Sequence, residues 1–322
     1  MHKSKCPICG SAQTVKNGKR KGVQTYKCQT CGYQFRNSTI PSNDEIWSLY
    51  MEGKQTISEL SHRFGVSEST IKRRLKDISK SWEQPTIEGG GYVHMDATYW
   101  GRSWGILLAL DDYSGLPLYL AFIENETLSD YETAIKSIEE RGYTISGIII
   151  DGKKGLFDLF SSYRIQMCQF HMKQIIRRYL TLNPRLKAAR ELKELLNTLT
   201  VSSEKDFNAN YAQWKEKWKD TLAKRSLLKC GKRSYTHKRL RSAMHSLDFY
   251  MPYLFTFQQE GCYGMPNTNN KIEGTFTNLK KRLNVHSGMT EMSRKRLISG
   301  FFLALAATHG IKKQDSSSEE SC

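Results

Sequence analysis

The sequence predicts a mixed α/β (α+β) protein, with two small N-terminal modules ahead of a larger core of strands and helices. Three observations predict it. Two Cys-x-x-Cys pairs, Cys6–Cys9 and Cys28–Cys31, flank a hairpin-like segment. Residues 42–82 carry three short stretches with helical apolar spacing. From residue 92 to 171, strand-length apolar runs alternate with amphipathic stretches, and after a long helical segment a last amphipathic helix follows Thr268.

The whole chain narrows the partner class. Its 322 residues have room for two or three domains, and 39% apolar content excludes a largely disordered chain. Lys and Arg number 49 against 32 acids, for a net charge of +17, which favours a polyanionic partner such as nucleic acid. The charge is segregated: residues 1–41 hold eight Lys or Arg and no acid, and residues 172–262 hold nineteen against eight. The chain opens on Met-His-Lys-Ser-Lys-Cys, which is not a secretory signal. The apolar stretch Leu297–Ala307 is too short to span a membrane. A cytoplasmic protein with reduced cysteines is therefore expected, its thiols serving as metal ligands or core residues.

Residues 1–40 read as a zinc ribbon. Cys6, Cys9, Cys28 and Cys31 would hold one structural Zn2+, and the Gly after each second Cys permits the tight turn. Four sulfur ligands leave no open position, which excludes a catalytic zinc. Between the pairs, a hairpin with its turn at Asn17–Gly18 is expected. Lys19, Arg20 and Lys21 on it suit phosphate contacts, the alternative being a solvated loop.

Residues 42–82 read as a helix-turn-helix DNA-binding domain. Ile46, Leu49 and Tyr50 form the first stripe, stopping at Gly53. Thr56 and Glu59 form a capping box for a second helix that ends at Gly65. A third helix from Glu68 buries Ile71, Leu75 and Ile78, and presents Ser69, Thr70, Arg73 and Arg74 outward to base edges and phosphates. Residues 83–91, with Pro85 and three glycines, read as a linker.

In the core, Tyr92–Met95, Gly105–Leu110 and Leu116–Ile123 are strands with short connections, which suits a meander. A helix to Arg141 leads to a fourth strand, Ile145–Ile150, as a parallel crossover. A helix over 154–161 and a fifth strand, Ile165–Phe170, complete the first part of the core, residues 92–171. Three strands, helix, strand, helix, strand is the order of a ribonuclease-H-like fold, by analogy alone. Asp96 ends the first run and Asp151 the fourth. Residues 172–262 form a helical insertion, with Trp214 and Trp218 read as core, and 263–310 form the last part of the core. There Ile272, Phe276, Leu279 and Leu283 make an apolar stripe, and Glu273, Thr277, Lys280 and Lys281 share the next face, with Arg282 following. Read alone, Glu273 is equally a first-turn acid favoured by the helix dipole. Residues 311–322 are polar and expected to be disordered.

These motifs resemble bacterial insertion-sequence transposases of the mutator-like type. The resemblance rests on His94-Met-Asp96-Ala-Thr-Tyr, Ile-Ile-Asp151-Gly, Thr268-Asn269 with Ile-Glu273-Gly, and Cys168-Gln-Phe-His171, all between residues 94 and 274. The N-terminal zinc ribbon departs from the commonest members. The resemblance implies catalytic Asp96, Asp151 and Glu273 holding two Mg2+ ions, with Mn2+ able to substitute. It implies water-driven nicking of element ends, then attack of the freed 3′-hydroxyl on target DNA. It also implies double-stranded DNA partners, a dimer or larger assembly on DNA, no membrane, and a prokaryotic, nucleoid-associated setting. Cys168 and His171 remain open: a packing pair, a DNA-facing pair, or part of a zinc site completed by Cys230 and Cys262. The competing functions are a DNA-binding regulator that has lost catalysis and a nuclease without strand transfer.

Overall fold

The computed structural model describes residues 5–20, 23–36, 42–77, 82–85, 87–101, 103–227, 231–286 and 288–315, with side chains to 308. Lys21, Ile78, Cys230 and residues 316–322 lie outside them. The chain divides into one unit of residues 1–80 and 282–297 and another of 81–281 and 298–322.

The first unit opens with a three-stranded sheet, β1 (Thr14–Arg20), β2 (Val23–Cys28) and β3 (Gln34–Arg36), paired antiparallel in that order. The hairpin does not turn at Asn17–Gly18 as expected. β1 runs on to Arg20, and Asn17–Gly18 forms a bulge between the Lys16 and Lys19 pairs. Gly18 supplies the positive φ of 71° that the bulge needs. Gln24 Nε2 donates to the Gly18 carbonyl at 2.9 Å and stitches the bulge to β2.

Helices α1 (Asn43–Met51), α2 (Ile57–Phe64) and α3 (Glu68–Asp77) follow. Thr56 and Glu59 make the reciprocal capping box of α2, and Gly65 closes it in the left-handed conformation at φ 62°. Ile46, Leu60 and Ile71 are fully buried and form the centre of the trio, while Leu49 and Leu75 are only half-buried.

The second unit is built on a five-stranded sheet. Its strands are β4 (Gly90–Trp100), β5 (Trp104–Asp111), β6 (Pro117–Ile123), β7 (Thr144–Ile150) and β8 (Ile165–Met167). Their order is β6-β5-β4-β7-β8, with β5 antiparallel to both neighbours and the β4–β7 and β7–β8 pairs parallel. All eight residues of β5 are buried, as a central strand covered on both faces requires. Helix α4 (Leu128–Glu140) carries the chain from β6 over to β7 and buries Tyr131, Ala134, Ile135 and Ile138. Helix α5 (Gly155–Leu159) links β7 to β8.

Three expectations are corrected here. β4 begins at Gly90, inside the predicted linker, because a Cβ on Gly90 would lie 2.5 Å from the Thr144 carbonyl oxygen. Those glycines permit close strand pairing and do not loosen the chain. Asp96 does not end a strand: β4 continues to Trp100, held by β5 through the Asp96–Leu108 and Trp100–Trp104 pairs. The fifth strand stops at Met167, and Phe170 belongs to helix α6 (Gln169–Leu180).

The insertion contributes α7 (Lys187–Asn197), α8 (Glu204–Lys217), α9 (Lys219–Ala223) and α10 (Lys238–Leu254). It is not helical throughout: β9 (Arg225–Leu227) and β10 (Arg233–Tyr235) pair as a small antiparallel ribbon. Trp214 is buried and donates Nε1 to the Ala188 carbonyl at 2.9 Å, while Trp218 donates to Glu191 Oε2 at 2.8 Å. These indoles hold α8 to α7.

Helix α11 (Asn270–Val285) follows, burying Ile272, Phe276, Leu279 and Leu283 as the stripe predicted. Helix α12 (Glu291–Asp315) continues beyond residue 311, where disorder was expected. No helix among the described residues is long and apolar enough to cross a membrane.

Residues 282–297 pack in the first unit, not with the core as expected. His286 stacks on Tyr50 with ring centroids 3.8 Å apart, and its Nε2 faces the Tyr50 carbonyl at 3.1 Å. Arg282 donates Nη1 to the Met51 carbonyl at 2.9 Å. This half-buried side chain uses that donor on the C-terminus of α1.

Candidate functional site

An acidic cluster lies at the C-terminal edge of the parallel strands. The β4–β7 ladder pairs Val93 with Ile148 and His94 with Ile149. Two residues beyond the last pair stand Asp96 and Asp151, close enough for the Asp151 charge to act on Asp96. Alternation places Asp96 on the face of His94, opposite buried Val93 and Met95. Asp96 Oδ1 accepts from the Ala97 amide at 2.8 Å, and Asp151 Oδ1 from the Lys153 amide at 3.1 Å.

The electrostatics are strained. Burial, then the Asp151 charge, with smaller repulsion from Glu126 and Glu273, pushes the Asp96 carboxyl up to about 8. Asp151 is also raised, first by burial and then by Glu126, with the Lys153 amide and the His171 and Lys153 side chains opposing. Glu126 was missed in the sequence. It lies between β6 and α4, accepts from the Tyr131 hydroxyl at 2.8 Å, and faces Lys153 Nζ at 3.2 Å. The available signal was an acid just past the end of a third strand pointing the same way.

Glu273 sits in the first turn of α11, its amide donating to the Asn269 carbonyl at 3.1 Å. The α11 N-terminus is fastened to β4 by a buried polar network. Asn269 Nδ2 donates to the Met95 carbonyl at 3.2 Å, so its Oδ1, 2.6 Å from His94 Nδ1, is an acceptor. His94 Nε2 lies 2.8 Å from Asp112 Oδ1. Each ring nitrogen of His94 thus has an oxygen partner within hydrogen-bond distance. Burial alone would raise Asp112, but the His94 bond and charge, with Lys271 at 3.8 Å, hold it below the ordinary carboxylate range.

Cys168 precedes α6 and His171 lies in its first turn. Burial raises the Cys168 thiol to about 11, and its Sγ accepts from the Asn269 amide at 3.2 Å. His171 Nδ1 stands 3.6 Å from Glu273 Oε1. Cys262 is elsewhere, buried with Ile149 and Met265 and contacted by Arg164 Nη1 at 3.4 Å, so it does not complete a site with Cys168 and His171.

Among the described residues, two groups of ligand atoms converge within 4.8 Å: the four cysteines of the N-terminal module, and Cys168, His171 and Glu273. In the first, Cys6 and Cys31 sulfurs are 3.6 Å apart, as are Cys9 and Cys28. Tetrahedral Zn–S bonds of ~2.3 Å require about 3.8 Å between sulfurs, so the four fit a zinc ion. Gly10 and Gly32, at φ 69° and 72°, close the two turns by donating to the Cys6 and Cys28 carbonyls. Amides of Cys31 and Thr30 aimed at Cys28 lower its thiol, towards the thiolate a metal needs, while the neighbouring sulfurs raise that of Cys31.

The predicted DNA contacts are distributed. Lys19 and Arg20 are exposed on β1. On α3, Ser69 and Arg73 are exposed, Arg74 is half-buried, and Thr70 faces Ser67 Oγ at 3.0 Å. Lys280 and Lys281 are exposed on α11.

No protein-family profile and no curated protein sequence matches the chain. Among solved structures, the Drosophila P element transposase strand transfer complex aligns over 91% of this chain and 84% of its own, at 12% identity and a TM-score of 0.33. The intasome of simian T-cell lymphotropic virus with PP2A regulatory subunit B56 gamma aligns over 49% of this chain and 69% of its own, at 14% identity and a TM-score of 0.21. At such TM-scores neither similarity carries an argument about fold or activity.

Proposed function

We propose that the protein is a DNA transposase of the mutator-like type with a ribonuclease-H-like core. The observation that carries this reading is the proximity of Asp96, within β4, to Asp151, just past the end of the neighbouring parallel strand β7. One of the two carboxyls is pushed to about 8 by burial and crowding of negative charge. A cluster of this kind is poorly stable without a cation, and its all-oxygen donors suit Mg2+, with Mn2+ as substitute. The strand order, third-second-first-fourth-fifth in sequence, also supports the fold reading.

Asp96 and Asp151 would hold the metals from the sheet, and Glu273 from α11. Bound there, two Mg2+ ions supply charge stabilisation to the attacking and leaving oxygens of an in-line phosphoryl displacement. The Asn269–His94–Asp112 network fixes the start of α11 against β4, which sets where Glu273 stands relative to Asp96. Lys280 and Lys281 lie two turns further along α11 for phosphate contact, and the zinc ribbon and helix-turn-helix bind duplex ends. Water attack on a phosphodiester at an element end leaves a 3′-hydroxyl. That hydroxyl then displaces a target-strand 3′-oxygen, so one phosphodiester forms as one breaks.

The test is a labelled duplex carrying the inverted repeats that flank the gene, incubated with protein, Mg2+ and target plasmid. Nicked ends and joined products are expected. Nicks without joining would mark a nuclease, and binding with neither product a regulator.

A further inference from the structure

We infer that Cys168, His171 and Glu273 form a three-ligand site for a zinc ion, separate from the N-terminal cysteine cluster. One sulfur, one imidazole nitrogen and one carboxylate oxygen lie mutually within 4.8 Å. His171 Nδ1 and Glu273 Oε1 are shielded from solvent and have no hydrogen-bond partner. Two such orphaned polar atoms side by side are costly, and a shared cation satisfies both. Their 3.6 Å separation is too long for a hydrogen bond. It is close to the ~3.3 Å between ligands on a tetrahedral ion with bonds of about 2.0–2.1 Å.

The backbone holds this arrangement in place. Cys168 and His171 are three residues apart at the start of one helix, so they share a face. The N-terminus of α11 is tied to the same point. The Asn269 amide donates to Cys168 Sγ at 3.2 Å, the Gln169 amide donates to the Asn267 carbonyl at 3.0 Å, and Asn267 Nδ2 donates to Gln169 Oε1 at 3.0 Å. Mixed sulfur, nitrogen and oxygen donors select zinc over magnesium. Three protein ligands leave a fourth position open to water or a phosphate oxygen. Binding displaces the thiol proton to solvent, as a thiolate ligand requires. Glu273 gives Oε1 to this site and leaves Oε2 for the magnesium cluster proposed above, so the two sites share one carboxylate; zinc content is read independently of cleavage.

The experiment is metal content of the full chain after equilibration with Zn2+ and removal of free ion in 10 mM Mg2+. Two zinc ions per chain are expected. Cys168→Ser, His171→Ala and Glu273→Gln should each bring the count to one, and Cys6→Ser should leave the Cys168 site filled. Co2+ should show a single-thiolate spectrum that Cys168→Ser removes, beside a four-thiolate spectrum that it leaves. Glu273→Gln keeps a side chain of the same size, so it reports on the ligand where Cys168→Ser disturbs folding. One zinc per chain in the unaltered protein, with a Co2+ spectrum of the four-thiolate type alone, would overturn the proposal. A second zinc unaffected by all three substitutions would overturn it equally.

Discussion

Asn269 and His94 are joined by a 2.6 Å hydrogen bond between residues 175 positions apart in sequence. One stands four residues before Glu273 and the other two before Asp96. Both are buried, at 0% and 1% exposure. Asn269→Ala removes the acceptor for His94 and the donor to Met95. It should cost about 1–3 kcal/mol of stability, because buried polar partners are left unmatched. Urea denaturation of the core measures this, and an unchanged midpoint would show the network to be slack.

Asp96 predicts an unusual pH dependence. Its folded carboxyl is near 8 against an ordinary 3.8. A raised carboxyl contributes stability that is full below the unfolded value and lost as pH rises through the folded value. Metal-free protein should therefore weaken between about pH 4 and pH 8. Asp96→Asn should melt higher than the unaltered chain at pH 8.5, the gap closing towards pH 4. Added Mg2+ should raise the melting temperature of the unaltered chain at pH 8.5 and leave the variant unmoved.

The charges proposed to contact DNA divide by role. Lys280→Ala with Lys281→Ala should weaken duplex binding for all sequences and flatten the log–log salt dependence by roughly one unit per lost phosphate contact. Arg73→Ala, on the exposed face of α3, should reduce the preference for element ends over random duplex. Fluorescence anisotropy across a salt series separates the two. Equal losses on every sequence for Arg73→Ala would remove α3 from base reading.

The N-terminal cysteines should govern local order only. Cys28→Ser should expose residues 5–36 to proteolysis while the far-ultraviolet helical signal persists, since that module's sheet is small and a zinc ion held by the four cysteines would close it. Limited proteolysis with mass mapping reads this directly. Retained protection would show that the sulfurs pack without an ion.

Much of this organisation is legible in the sequence because it rests on local patterns. The Ile272, Phe276, Leu279 and Leu283 stripe, the Thr56–Glu59 capping box and the strand lengths around Asp151 are set by neighbours within a few residues. The misreadings come from partners distant in sequence. Three glycines at 89–91 read as a linker, yet Gly90 is there because Thr144 passes against it. The bond from Arg282 to the Met51 carbonyl joins residues 231 positions apart and has no local signature. Glu126 has no motif, and its place near Asp96 depends on how the ends of three strands line up. Cys168 and His171 suggest two ligands, and the third, Glu273, comes from a helix a hundred residues later.

The most direct measurement is Mg2+-dependent strand cleavage at element ends by the unaltered chain and by Asp96→Ala, Asp151→Ala and Glu273→Ala, with duplex binding checked in parallel. Each variant should bind DNA normally and cleave more slowly by on the order of 10³-fold, since each removes a proposed metal ligand from the cluster. Cleavage by Asp96→Ala at the rate of the unaltered chain would contradict the proposal that this cluster is the catalytic centre.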